Sequence, residues 1–195
     1  TSKDKTLTRC SSLIINRSKY SGSGITTTTF NDGLTYSTVY GTRVQDDEIS
    51  LNVPDLHRVL AVLESDDKDN PTLPSITAIS QSATFTNNVI VGEQMIGASS
   101  GAVGRVVSVD SGIKLSFVYE NDKFFEKDEQ FTLGTSGIFA NISVLVAGDR
   151  NITKSFDIDS GQRYDFADYG RIIRKKDIEE PARKLRIVFD YYSTL

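Results

Sequence analysis

One phrase is written twice in this chain, and it constrains the fold more than any other feature. "GEQMIGASSGAVGRVVSV" from Gly92 and "DEQFTLGTSGIFANISVL" from Asp128 align without a gap at an offset of 36 residues. Glu93-Gln94 matches Glu129-Gln130, and Ser100-Gly101 matches Ser136-Gly137. Met95, Val103, Val106 and Val109 meet Phe131, Phe139, Ile142 and Leu145. Each copy reads as a charged turn, a short strand, a Ser-Gly turn and a strand. Periods of this size mark repeated supersecondary units. Two copies are too few for a solenoid but enough for a compact module of two related hairpins, expected over 82–149. The repeat predicts that Gly101 and Gly137 occupy equivalent turns.

The first copy contains Gly97-Ala98-Ser99-Ser100-Gly101, which fits the G-x-S-x-G pattern of serine hydrolases. Such a serine needs a base, usually a histidine. His57 is the sole histidine and precedes Ser99, whereas α/β-hydrolases place it after the nucleophile. The second copy puts Gly134 and Thr135 at the positions of Ala98 and Ser99. A turn needs small residues, while a nucleophile needs one particular oxygen, so the phrase reads as a turn. The same glycine-rich stretch lacks the Gly-Lys-Ser/Thr ending of a P-loop, and the β-like Arg105–Val109 follows it in place of a helix.

Elsewhere β-formers dominate. Thr26–Phe30, Leu34–Tyr40 and Glu48–Val53 are short runs rich in Thr, Tyr, Val and Ile, with Asn31-Asp32-Gly33 as a hairpin turn. Residues 152–195 hold strands at Lys154–Ile158, Arg171–Lys175 and Lys184–Tyr191. The last alternates, with Leu185, Ile187, Phe189 and Tyr191 on one face. Pro54–Glu64 fits a helical stripe or a buried strand, and periodicity does not decide between them. Residues 1–24 carry Leu7, Cys10, Leu13 and Ile14 at roughly helical spacing. They are expected to form a short helix or linker ending in the flexible Ser21-Gly22-Ser23-Gly24.

Composition narrows the functional classes. Net charge is −4, so bulk electrostatics give no case for nucleic acid or an anionic membrane. A single cysteine, Cys10, permits neither an intrachain disulfide nor a cysteine-based zinc site. Apolar runs such as Val144–Ala147 are far shorter than a membrane span. The chain starts at Thr1 and stops just past a strand, and we expect it to be part of a longer polypeptide.

Individual residues offer little chemistry. His57 has Asp55 nearby but no further ligands at useful spacing, and Asp66-Asp67-Lys68-Asp69 lacks the glycine and distal glutamate of an EF-hand loop. Asp157 with Asp159, and Asp165 with Asp168, are pairs that 26 acidic residues supply by chance. The remaining candidate is a basic C-terminal cluster interleaved with Tyr164, Phe166 and Tyr169. Asp165, Asp168, Asp177, Glu179 and Glu180 offset its charge, so it reads as a solvated sheet face or a protein contact. The contact residues expected there are Arg171, Arg174, Lys175, Tyr191 and Tyr192.

"ITKSFDIDSGQRYDFADYGRIIRKKDIEEPARKLRIVFDYYS", from Ile152, resembles a recurring segment in long virion structural proteins of tailed bacteriophages, of the tail-fibre and baseplate kind. The elements that carry the resemblance are Gly161-Gln162-Arg163, Asp168-Tyr169, Arg171–Lys175, Pro181 and Val188–Tyr192. "ISLNVPDLHRVLAVLES" is similar to a companion phrase in the same proteins, which implies a turn and strand after Asp55. The resemblance implies a structural role without an active site or cofactor, in a virion protein made in the host cytoplasm. Partners would be other virion proteins and copies of itself, with no nucleic acid or membrane.

The expected architecture is all-β, with a β-sandwich-like body over 25–81 and 150–195 and the repeated-hairpin module at 82–149 inserted in it. The expected function is non-enzymatic and architectural. The alternative is a carbohydrate-binding or adhesin module whose surface tyrosines stack on a host-surface glycan.

Overall fold

A computed structural model describes residues 4–17, 42–79 and 88–194. The strands expected at Thr26–Phe30 and Leu34–Tyr40, the turn between them and the joint at 21–24 lie outside the described residues. Among the described residues the structure is built from strands. The first are β1 (Lys5–Ile15), β2 (Glu48–Ser50) and β3 (Leu56–Glu64). Next come β4 (Ser75–Ile79), β5 (Gln94–Gly97), β6 (Val103–Ser111), β7 (Lys114–Tyr119), β8 (Gln130–Leu133) and β9 (Phe139–Val146). Last are β10 (Arg150–Asn151), β11 (Phe156–Asp159), β12 (Arg171–Arg174) and β13 (Leu185–Thr194). The chain divides into two compact units, Thr1–Thr72 with Asp149–Leu195, and Leu73–Gly148.

The discontinuous unit contains two antiparallel sheets, ordered β1-β13-β3-β10 and β11-β12-β2. Ile15, Leu56, Val62, Leu185 and Ile187 from the first share one core with Ile49, Phe156 and Ile172 from the second. This sandwich follows from period-two patterning: each sheet has one apolar face, and packing the two faces together removes both from water. The Pro54–Glu64 ambiguity resolves to strand β3, which pairs antiparallel with β13 and turns Leu56 and Val62 into the shared core.

Residues 5–15 form a strand, not the short helix or linker expected for 1–24. The β1–β13 register slips between Thr8 and Ser11, so Arg9 and Cys10 together face Asp190 across a bulge. Cys10 sits at φ 55, and its N–H donates to Asp190 Oδ1 at 2.8 Å. The apolar residues of β1 do not form one stripe: Leu13 stands opposite Ile187 on the core side, whereas Leu7 and Ile14 stand opposite Tyr192 and Arg186 on the other face. Asp190 is fully buried and also accepts from Arg58 Nε at 2.7 Å, which balances the charge of a carboxylate inside the sheet.

The continuous unit is a closed barrel in the order β4-β7-β6-β5-β8-β9, with β9 returning to β4. Closure leaves no strand edge open. Ser75–Ile79, expected in the body, lies in this barrel because it pairs with both β7 and β9 and turns Ile76 and Ala78 inward. Met95, Val106, Leu115, Phe117, Phe131, Leu133 and Ile142 fill the interior. Phe117 packs edge-on against Phe125 at 5.2 Å. A Cβ on Gly104 would stand 2.9 Å from the Phe117 ring, so this close approach of backbone to aromatic requires glycine.

The hydrogen bonds of the barrel repeat at the offset seen in the sequence. Gly97 N–H donates to Ala102 O at 2.9 Å, and Leu133 N–H donates to Ile138 O at 2.7 Å. Val106 N–H bonds Glu93 O as Ile142 N–H bonds Glu129 O. Gly101 and Gly137 both adopt left-handed conformations, at φ 65 and 72. Gly92 and Asp128 match as well, at φ 91 and 69. Strands β5 and β8 pair antiparallel with Ile96 opposite Thr132, Met95 opposite Leu133 and Gly97 opposite Phe131. Ile96 and Thr132 are equivalent positions in the two copies, so a local twofold axis passes through that pair.

Candidate interaction surface

The two Ser-Gly turns are closed by glutamates from the opposite copy. Glu129 Oε2 accepts from the N–H groups of Ser99 and Ser100 at 3.2 and 3.1 Å and from Ser99 Oγ at 3.0 Å. Its Oε1 accepts from Ser100 Oγ at 2.8 Å and Glu126 N–H at 2.6 Å. In the other direction, Glu93 Oε2 accepts from Thr135 and Ser136 N–H at 3.1 and 2.8 Å. Glu93 Oε1 takes Ser136 Oγ at 3.0 Å and Ile90 N–H at 2.8 Å. Both carboxylates are buried, at 2% and 7% exposure for Glu93 and Glu129.

Burial pushes the Glu129 pKa up. Hydrogen bonds from the Glu126 and Ser100 backbone and from the Ser100 and Ser99 hydroxyls outweigh it and hold the carboxyl below its ordinary range. A carboxylate stabilised as the anion by five donors is a poor proton acceptor. Ser99 is therefore one donor in a closed turn, and Thr135 replaces it in the second copy.

The residues expected to make contacts divide between the two sheets of the sandwich. Arg171 and Arg174 are on β12, with Lys175 just beyond it, while Tyr191 and Tyr192 are on β13. Arg171 pairs with Glu48 at 3.0 Å, with Asp159 at 3.6 Å and with Asp168. Arg174 meets Asp47 at 2.6 Å, and Lys175 lies 3.9 Å from Asp157. Tyr192 packs edge-on against the exposed His57 at 5.3 Å, and Tyr191 tilts against Phe189 at 6.0 Å. The basic residues thus form a charge-paired face whose partners are Asp47 and Glu48 at the start of β2, Asp157 and Asp159 on β11, and the neighbouring Asp168.

Those pairs brace the hairpin formed by β11 and β12. Between β11 and β12 the chain turns at Gly161 (φ 80), whose amide donates to Asp159 Oδ1 at 2.9 Å. Asp168 N–H returns to Gly161 O at 2.7 Å, Gln162 bridges Ala167, and Arg163 N–H reaches Phe166 O at 3.0 Å. Arg163 forks onto Asp159 at 2.6 and 2.9 Å. The Arg163 fork, then the Gly161 amide, hold the Asp159 carboxyl far below its usual range, and Asp159 in turn raises Arg163. Gln162 Nε2 donates to Asp55 Oδ1 at 3.2 Å on the turn before β3.

This frame holds three large rings in water: Tyr164 at 102% exposure, Phe166 at 64% and Tyr169 at 54%. The signal in the sequence was the pair of opposite charges on each side of the aromatics, Asp159 with Arg163 and Asp168 with Arg171.

A cleft of about 330 Å³ opens at the other end of the same hairpin. Its apolar walls include Ile152, Phe156, Ile178 and Pro181, and Glu179 and Glu180 stand among its polar lining. Glu64, also in the lining, is buried and committed to Arg150 and to the Ala182 N–H at 2.8 Å. Sequence reasoning missed this cleft because its lining comes from three separated stretches. Among the described residues no group of three or more His, Cys, Asp or Glu is placed to hold a metal ion. No protein family, curated protein or solved structure matches this chain.

Proposed function

We propose that this chain is a non-enzymatic, architectural segment of a tailed-phage virion structural protein, of the tail, fibre or baseplate kind, acting through protein–protein contacts. Its partners are other virion proteins and copies of itself, and its place is the virion after synthesis in the host cytoplasm. The braced hairpin crown carries this reading. Tyr164, Phe166 and Tyr169 are exposed on a frame already fixed by ion pairs and backbone bonds. A preordered aromatic surface loses little conformational freedom on docking, and Tyr and Phe are enriched where proteins meet. The resemblance of Ile152–Ser193 to virion segments supports the same conclusion.

Electron microscopy of intact particles labelled with antibody against this segment tests the proposal. Label at the tail, fibre or baseplate is expected, and unlabelled particles from a host that expresses the chain overturn it.

Exposed tyrosines also favour a second reading, a carbohydrate-binding or adhesin module in which the crown rings stack on a host-surface glycan. A glycan array comparing the wild type with Tyr164→Ser separates the two. Saturable binding lost in the variant supports the second reading, and an empty array supports the first.

A further inference from the structure

We infer that, independently of any virion role, the two halves of the barrel recognise each other by side-chain size, each accepting the other and rejecting a copy of itself. The halves extend beyond the duplicated phrase. Ala78, Thr77 and Ile76 of β4 stand opposite Ile142, Val144 and Leu145 of β9. At the equivalent positions of β6, 36 residues earlier, Val106, Ser108 and Val109 face Phe117, Ser116 and Leu115 of β7. Both ladders skip one residue at the same place, Val107 in β6 and Ser143 in β9. Strand β4 is therefore the counterpart of β7, although Ser75–Ile79 and Lys114–Val118 have no identical residue at matching positions. Their own pairing obeys the same symmetry, with Ile76 opposite Leu115, Ser75 opposite Ser116 and Thr77 opposite Lys114. The twofold axis that passes between Ile96 and Thr132 thus also passes between Ile76 and Leu115. The halves are β4-β5-β6 and β7-β8-β9, and they interlace. Strand β4 lies between two strands of the second half, and β7 between two of the first.

The backbone is symmetric but the core is not. At equivalent inward positions the second half carries the larger residue: Phe117 against Ala78, Phe131 against Met95, and Leu133 against the buried Gly97. Ile142 against Val106 and Ala140 against Gly104 follow the same rule. Small therefore meets large where the halves join, with Gly97 opposite Phe131.

Pairing like with like would break this match. Two second halves would place Phe131 opposite Leu133 twice. They would also bring each Phe117 ring onto Ala140, the counterpart of Gly104, where a methyl group stands only 2.9 Å from that ring. Two first halves would leave empty the space that Phe117 and Phe131 fill. Overfilling and cavities both destabilise a packed interior. Repeated units are prone to exchange between crowded copies, and a mismatch in size is a device against the wrong pairing. The inner face of the first half thus fits a three-stranded partner with large inward residues and excludes the first half of a neighbouring copy.

Urea denaturation of the whole chain, read by amide hydrogen exchange over residues 75–146, tests the inference. Ala78→Phe sets large against large, and Phe117→Ala sets small against small. Each is expected to lower the midpoint of the barrel strands. One chain carrying Ala78→Phe, Ala140→Gly, Phe117→Ala and Gly104→Ala restores the match with the roles of the halves reversed. It is expected to recover at least half of the midpoint lost by the two single variants together. Core damage without size recognition predicts the opposite, because four changes would then lower the midpoint further than two. A fourfold variant at or below the summed loss, or one that does not fold, overturns the inference. So does either single variant with the wild-type midpoint.

Discussion

Glu129 Oε1 accepts a 2.8 Å hydrogen bond from Ser100 Oγ, and its equivalent, Glu93, accepts one of 3.0 Å from Ser136. Each copy of the repeat therefore carries the carboxylate that closes the turn of the other. Neither hairpin is complete alone, which explains why the duplicated phrase keeps Glu-Gln and Ser-Gly while its apolar positions vary.

Removing either glutamate should destabilise the barrel by a similar amount. Glu129→Ala strips the acceptor from three backbone N–H groups, and Glu93→Ala does the same at its equivalent site. Unsatisfied buried donors cost about 1–3 kcal/mol each, and partial rehydration of an exposed turn brings the total to about 2–4 kcal/mol. Urea denaturation of the two variants checks this. A loss below about 0.5 kcal/mol in either would remove the clasp from the account of barrel stability.

The same carboxylate sets an acid dependence. The Glu129 pKa is lowered by folding, so its contribution is fully present above the unfolded-chain value and fades as pH falls through the folded one. Barrel stability should therefore drop on acidification below the ordinary value of 4.5. Glu129→Gln should be less stable at pH 7 but show a flatter acid limb. Denaturant midpoints measured between pH 7 and 2 report both slopes, and parallel slopes would contradict the assignment.

Two left-handed glycines should respond differently to a methyl group. At Gly137 (φ 72) an added Cβ would meet nothing within 4 Å, so Gly137→Ala should cost only the backbone term of about 1–2 kcal/mol. At Gly161 (φ 80) the same Cβ would collide with the carbonyl oxygen of Asp168. Gly161→Ala should therefore spring the crown open, and proteolysis at Arg163 reads this directly. Equal protease resistance in the two variants would refute the difference.

Asp190 should be among the least replaceable residues of the sandwich. Asp190→Ala leaves the Cys10 N–H without its side-chain acceptor and Arg58 without its carboxylate. Breaking a buried pair costs about 3–5 kcal/mol, reduced here because Arg58 reaches solvent. Thermal unfolding should show a fall of several degrees in midpoint. An unchanged midpoint would mean that the bulge is held by its strands alone.

Excision distinguishes the closed barrel from the narrower module expected from the repeat. A fragment of residues 73–148 includes β4 and should unfold cooperatively. One of residues 82–149 lacks β4 and leaves β7 and β9 with open edges. Sigmoidal unfolding of the longer fragment and its loss in the shorter one are expected, and identical curves would show that closure contributes nothing.

How far the sequence could be read depended on how local the information was. The strand pattern of Leu185–Tyr191, the turn residues Gly101 and Gly137, and the 36-residue offset are local, because side-chain period and backbone conformation act over a few residues. The helix-or-linker reading of residues 1–24 failed at Lys5–Ile15 because that stretch is held as a strand by pairing with β13, far along the chain. Of the contact residues, Arg171 and Arg174 reveal their character only beside Glu48 and Asp47, which reach them through pairing of β12 with β2.

By itself the sequence determined that the chain is β-structured, that its middle contains a duplicated hairpin and that Ser99 belongs to a turn. Tertiary structure alone decided that the duplicated hairpins close into a barrel with β4, that each glutamate serves the other copy, and that the aromatics of 164–169 remain in water. The physical reason is the same in each case. Patterning along a chain specifies which face of a strand is apolar, whereas the partner that covers it is chosen by contacts between residues that only folding brings together.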